Sequence, residues 1–126
     1  MATHEGLHEE ATLLAEDVVD RHRAIASLGE ELEAIDWYDQ RIAATKNAEL
    51  AEVLAHNRDE EKEHAAMVLE WLRRQDAALD AALRTYLFTT GSIVRREAAA
   101  EAGGGAAAGA APSDGSLGIG SLKARS

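Results

Sequence analysis

A glutamate and a histidine stand three residues apart in the middle of the chain, at Glu61 and His64. Residues three apart on a helix lie on the same face, so this carboxylate and this imidazole can bind one metal ion together. A glutamate from a facing helix can then bridge to a second ion. Cysteine is absent, which leaves Asp, Glu and His as the available ligands. The sequence therefore predicts a site for a hard or borderline metal ion.

Apolar residues recur at helical spacing through two long segments that can carry these side chains. The first segment, at about 7–43, places aliphatic residues at alternate steps of four and three, and the second, at about 48–75, repeats this rhythm. Asn47 lies between them and is a good N-cap for the second helix. A third, shorter segment at about 77–88 can end at Gly91. The predicted fold is all-α, with two long antiparallel helices and a short third helix.

The polar pair falls inside the apolar stripe of the second helix. At 100° per residue, Glu61 and His64 lie among apolar residues such as Leu54 and Val68, so we expect both to point into a bundle. A lone buried carboxylate costs several kcal/mol unless something pairs with it. Glu31 lies beside the apolar stripe of the first helix and can be that partner. A structural hydrogen bond between Glu61 and His64 is the alternative to a metal site.

One chain supplies only half of a two-metal centre. Di-iron carboxylate bundles use a Glu from each of two helices and Glu-x-x-His from each of the other two. This chain has one helix of each kind, the first with Glu31 and the second with Glu61 and His64. A two-fold symmetric dimer would supply the other half. We therefore expect a four-helix bundle that forms on dimerisation and a monomer that cannot hold the complete centre.

Composition and charge narrow the possible partners. The 126 residues are 46% hydrophobic and 4% aromatic, and 23 acidic against 13 basic side chains give a net charge of −10. This composition suits helices better than a β-sandwich. Nucleic acids and anionic membranes attract basic patches, so the acidic balance argues against both and suits a cation. The N-terminal sequence has neither a basic region nor a long apolar run, and we expect a soluble, cytoplasmic protein.

Two stretches resemble the encapsulated ferritins, which are bacterial ferroxidases that work inside encapsulin shells. They run from Glu30 to Gln40 and from His56 to Met67, and the resemblance covers about residues 3–90. Near the C-terminus, the run from Gly115 to Lys123 is similar to the peptide that targets cargo to the encapsulin interior. The resemblance implies a ferritin-like cargo protein of an encapsulin nanocompartment that stores iron. It also implies an annular decamer, a pentamer of dimers.

The iron site implied by the resemblance uses Glu31, Glu61 and His64 from both chains of a dimer. There the family oxidises two Fe(II) to Fe(III), with dioxygen as the electron acceptor. Carboxylates suit this reaction because they bind the hard ferric ion, whereas histidine keeps affinity for Fe(II). Two alternatives stay open. One is a non-catalytic metal-binding helical cargo protein, and the other is a di-iron oxidoreductase of the peroxidase type.

An outer metal-attracting site of the family matches Glu30 and Glu33, with Trp37 nearby, and it would take iron, calcium or another divalent cation. Tyr38 matches the tyrosine close to the iron site. The spacing agrees, because Glu30, Glu33 and Trp37 fall on the face opposite the apolar stripe. An ordinary solvated face is the alternative for the two glutamates, and interface packing is the alternative for the two aromatic residues.

The chain is predicted to have three parts, which are a helical domain at 1–96, a flexible Ala/Gly linker at 97–112 and a targeting tail at 113–126. Seven of the ten glycines lie beyond residue 100, and such a stretch cannot bury a core. Three apolar residues separated by glycine and serine suit a shallow groove on a shell protein. The implied targeting residues of the tail are Leu117, Gly118, Ile119, Gly120, Ser121 and Leu122.

Overall fold

The computed structural model describes the backbone of residues 6–110 and the side chains of residues 6–101, so the predicted tail with Leu117 to Leu122 lies outside it. Within this range the chain is helical and contains no strand, which confirms the all-α prediction. After Asp80 the chain divides into two compact units. A short 3₁₀ turn at Ala11–Leu13 is followed by four helices: α1 (Glu16–Ala44), α2 (Ala48–Gln75), α3 (Ala77–Tyr86) and α4 (Ile93–Ala110).

The connection between α1 and α2 is short and well capped. The side-chain oxygen of Asn47 accepts a hydrogen bond from the backbone N–H of Leu50 at 2.9 Å, so the predicted N-cap of α2 is confirmed. The hydroxyl oxygen of Thr45 accepts from the backbone N–H of Asn47 at 3.1 Å. So short a connection returns the chain alongside α1, and α1 and α2 pack against each other as an antiparallel pair.

The end of α2 is held by a network of ion pairs. Arg73 donates two hydrogen bonds at 2.8 Å to the carboxylate of Glu70 and a further one to Asp80 of α3. Arg74 donates a third to Glu70 at 2.6 Å. The hydrogen bonds from Arg73, together with that from Arg74, lower the pKa of Glu70 to about 2. These contacts tie the last turn of α2 to the beginning of α3.

Two predicted boundaries differ from the structure, each for a local reason. The first helix was expected from about residue 7, but α1 begins at Glu16 because the chain first makes the 3₁₀ turn and then extends at Ala15. The third helix was expected to reach residue 88 and to end at Gly91. It ends at Tyr86 because Phe88 adopts a left-handed backbone with φ of 61°.

The segment predicted as a flexible linker, 97–112, overlaps the last helix of the described chain. Helix α4 runs from Ile93 to Ala110 and covers most of it. Alanine has the highest helix propensity and dominates this stretch, which explains why a helix forms despite the glycines. The backbone of this segment is therefore helical over most of its length.

The core of a single chain is very small. Among the described side chains only Ala65 and Leu72, both on α2, are buried. A pair of helices has too little surface to enclose a core, so many large apolar side chains stay exposed on α1 and α2. These residues are Val18, Ile25, Leu32, Trp37, Leu50, Val53, Met67 and Trp71. Over residues 6–110, none of the helices combines the length and apolarity that a membrane span requires.

Candidate metal centre

Glu31 of α1 meets Glu61 and His64 of α2 near the middle of the helix pair. Each residue offers one ligand atom, and the three atoms lie within 4.8 Å of one another. Among the described residues this is the one group of three or more acidic or histidine side chains that is close enough to hold a metal ion. The structure therefore brings together the three residues that the sequence singles out.

The Glu61 and His64 side chains do not form the structural hydrogen bond that is the alternative to a metal site. Nδ1 of His64 lies 3.7 Å from Oε1 of Glu61, which is too long for a hydrogen bond. The two groups lie within ion-pair distance without a hydrogen bond between them, so both stay available as ligands of one ion.

Glu31 carries a buried oxygen that no donor reaches. Its Oε1 is shielded from solvent and has no hydrogen-bond partner among the residues that the structure describes. A buried carboxylate oxygen loses its hydration, and this cost is recovered only by a donor or a cation. Because the nearby side chains are a second carboxylate and an imidazole, a cation fits this position well.

His64 is more exposed than the sequence predicts. The exposed fraction is 27% for the Glu61 side chain and 46% for His64, although both were expected to point into a closed bundle. The reason is that one chain provides only two long helices. At 100° per residue, Val53, His64 and Trp71 fall within about 20° of one another around α2, and both apolar neighbours are exposed as well. The ligands thus lie beside an open apolar flank of α2.

The outer acidic pair lies on an exposed face of α1. Glu30, Glu33 and Trp37 are all exposed, whereas Tyr38 is half-buried. Within one chain the two glutamates do not join a group of three ligands. The sequence did not reveal that Arg41 lies beside both aromatic residues. Its guanidinium carbon is 6.0 Å from the ring centre of Trp37 and 5.7 Å from that of Tyr38, within the range of a cation–π contact.

A second contact missed by the sequence analysis lies close to Glu61 along α2. Nη1 of Arg58 donates to Oδ1 of Asp39 on α1 at 2.8 Å, and Nε of Arg58 donates to Oδ1 of Asp59 at 3.2 Å. The hydrogen bonds raise the pKa of Arg58, and the bond from Arg58 lowers the pKa of Asp59. A signal was present in the sequence, because Asp39 is an acidic residue in the mostly aliphatic stripe of the first helix.

Comparison with known proteins identifies a family and several relatives that this chain resembles. A family model described as EncFtn-like matches residues 6–90. An encapsulated ferritin-like protein of Rhodospirillum rubrum is 62% identical in an alignment of 121 residues that covers 92% of this chain and 86% of that protein. A ferritin-like protein of Thermotoga maritima is 48% identical over 115 residues, covering 91% and 96% of the two chains.

A more distant relative and a solved structure extend the comparison. An encapsulin nanocompartment cargo protein of Myxococcus xanthus is 36% identical in an alignment of 104 residues that covers 74% of this chain and 76% of that protein. A crystal structure of a protein from Nitrosomonas europaea aligns with a TM-score of 0.68 at 58% identity, covering 70% of this chain and 97% of that chain. The chain therefore belongs to the EncFtn-like family of ferritin-like proteins.

Proposed function

We propose that this chain is a ferroxidase that oxidises Fe(II) to Fe(III) at a centre shared by two copies. The observation that carries the proposal is the group of Glu31, Glu61 and His64, with its buried carboxylate oxygen that lacks a donor. Iron is the substrate. Two Fe(II) ions each lose one electron, and dioxygen accepts both. The carboxylates favour the ferric product, while the imidazole keeps affinity for Fe(II).

The open flank of α2 supports the proposed sharing of the centre. A second α1–α2 pair placed across a two-fold axis would bring three more ligands to the first three. It would also cover Leu50, Val53 and Trp71, which are exposed in the single chain on the same side as His64. The two pairs together would form a four-helix bundle whose six ligands would hold two irons.

A separate apolar stripe on α1 supports an assembly larger than a dimer. Val18, Ile25 and Leu32 are exposed, are spaced seven residues apart and fall within about 40° of one another around α1. This stripe lies about 100° or more around α1 from Glu31, so it does not belong to the flank that carries the ligands. A chain with two different apolar surfaces can join dimers into a closed ring. We propose that this ring is the annular decamer.

The exposed acidic pair of α1 would act before oxidation. Glu30 and Glu33 lie one turn apart on the same face, with Trp37 one turn further on. Their negative field would raise the local concentration of Fe(II) and would also attract calcium or another divalent cation. Tyr38, on the neighbouring face, is proposed to act as an accessory residue near the iron site.

The proposed place of action is the interior of an encapsulin nanocompartment in the cytoplasm, which would store the oxidised iron. Support comes from the relatives described as encapsulated or as nanocompartment cargo. We propose that residues 1–96 form the enzyme, that 97–112 connect it to the tail, and that the tail at 113–126 binds the shell through Leu117 to Leu122. Deletion of the tail should abolish co-purification with the shell and leave iron oxidation in solution unchanged.

The proposal is tested by following ferric absorbance after Fe(II) is mixed with air-saturated protein. The wild-type chain should oxidise iron well above the iron-only background, and a Glu61→Ala/His64→Ala variant of the same oligomeric size should not. Background-rate oxidation by an assembled, iron-loaded wild type would instead favour a non-catalytic metal-binding cargo protein. A rate that depends on peroxide and not on dioxygen would favour the peroxidase-type alternative.

A further inference from the structure

One ion pair crosses between the two long helices. Nη1 of Arg58 on α2 donates to Oδ1 of Asp39 on α1 at 2.8 Å, and the Arg58 side chain is only 24% exposed. Among the described side chains, no other hydrogen bond or ion pair joins α1 to α2. The remaining ion pairs of these two helices lie within one helix or link α2 to α3, and an example of the first kind joins Arg23 to Asp20.

The guanidinium of Arg58 is oriented by a residue of its own helix as well as by Asp39. Its Nε donates to Asp59 on its own helix, and the same oxygen of Asp59 lies 3.5 Å from Nζ of Lys62. One planar group therefore engages two carboxylates through two different nitrogens. A lysine ammonium at this position has no fork of fixed geometry and cannot reproduce both contacts in the same way.

The register of α1 on α2 has few other determinants. Apolar packing is not directional, and of the side chains at 6–101 only Ala65 and Leu72 are buried. A slip of one helical turn would move one helix by about 5.4 Å along the other. A directional contact between charged groups opposes such a slip because it fixes the position of a donor against an acceptor.

The ion pair and the candidate metal centre cross-link the same two helices at different heights. Arg58 lies three residues, or about 4.5 Å, before Glu61 along α2. Asp39 lies eight residues, or about 12 Å, after Glu31 along α1. A slip of α1 along α2 that separates Arg58 from Asp39 therefore also moves Glu31 away from the two ligands on α2.

We propose that Arg58 and Asp39 are positioning residues that fix the register of α1 on α2 and thereby hold Glu31 against Glu61 and His64. They touch no iron and act through the ligands. This inference rests on the proposed metal centre, since it assigns a second pair of residues to the same site.

The test is calorimetric titration of the full chain with Fe(II) under nitrogen, which reads binding and not turnover. Asp39→Asn and Arg58→Gln should each weaken Fe(II) binding on the order of tenfold, the size of effect seen when groups that orient metal ligands are changed. Arg58→Lys should recover only part of the loss. The double variant should lose no more than either single variant, because the two residues act through one contact.

The matched control is Arg23→Gln, which removes the 2.8 Å ion pair with Asp20 inside α1 and should leave Fe(II) binding unchanged. Circular dichroism at the titration temperature verifies that every variant is folded. Folded Asp39→Asn and Arg58→Gln variants that bind Fe(II) as tightly as the wild type would overturn the inference while leaving the metal centre intact. Losses that add in the double variant would also overturn it, and a wild type that binds no Fe(II) would overturn the centre itself.

Discussion

Replacing Glu31 by methionine should stabilise the metal-free protein and weaken its stabilisation by Fe(II). A buried polar group that lacks a partner costs about 1–3 kcal/mol, and Oε1 of Glu31 is in this position. Methionine is similar in length, is a good helix former and brings no charge. Since Glu31 as a whole is only half-buried, we expect the lower end of the range. The free energy of unfolding of the metal-free variant should rise by about 1 kcal/mol.

Bound metal should reverse this order of stability. A ligand that binds only the folded protein stabilises it by about 2.7 kcal/mol at a concentration 100 times its Kd. The wild-type protein should gain stabilisation of this kind from Fe(II), whereas Glu31→Met should gain little. The wild type should therefore be the less stable protein without iron and the more stable one with it.

The assay is urea unfolding followed by circular dichroism under nitrogen, with and without Fe(II), at one fixed protein concentration. Glu52→Met is the matched control, because Glu52 is an exposed glutamate on α2 and should not change the response to iron. The reasoning is refuted if metal-free Glu31→Met is less stable than the wild type, or if Fe(II) stabilises both proteins equally.

Three further changes test separate parts of the structure. Glu70→Gln should destabilise the protein at neutral pH. Because the pKa of Glu70 is about 2 in the folded protein and about 4.5 in the unfolded chain, the stability that the carboxylate contributes is lost as the pH falls through this range. The unfolding free energies of variant and wild type, measured against pH, should therefore converge between about 4.5 and about 2. Asn47→Ala removes the cap of α2 and should cost about 1 kcal/mol in urea unfolding. Glu30→Gln with Glu33→Gln should slow iron oxidation at low ionic strength, and stopped-flow rates should converge with the wild type as salt is added.

Much of the helix pair can be predicted because its determinants are local. The N-cap at Asn47 and the apolar period that follows it give the bounds of α2, 48–75, as the structure has them. The same period places Glu61 and His64 on one face of α2, and Glu31 of α1 lies close to them. These features depend on the spacing of residues a few positions apart, and this spacing can be read directly from the sequence.

A periodic pattern does not show the helix boundaries or the long-range contacts. These depend on the backbone conformation of single residues and on how the helices pack. The start of α1 is set by a 3₁₀ turn that an amphipathic pattern does not distinguish from a helix. The end of α3 depends on Phe88, a residue type that rarely adopts a left-handed backbone. The contact of Arg58 with Asp39 joins residues 19 apart in sequence, so it follows only from the packing of α1 on α2.

The oxidising centre is proposed to be shared by two chains. A direct test separates the wild-type protein by size and measures aerobic Fe(II) oxidation in the monomer fraction and in the larger fractions. We expect oxidation by dimers and larger species and only the iron-only background in the monomer, since one chain provides three of the six ligands. A monomer that oxidises Fe(II) as fast per chain as the assembled protein would contradict it.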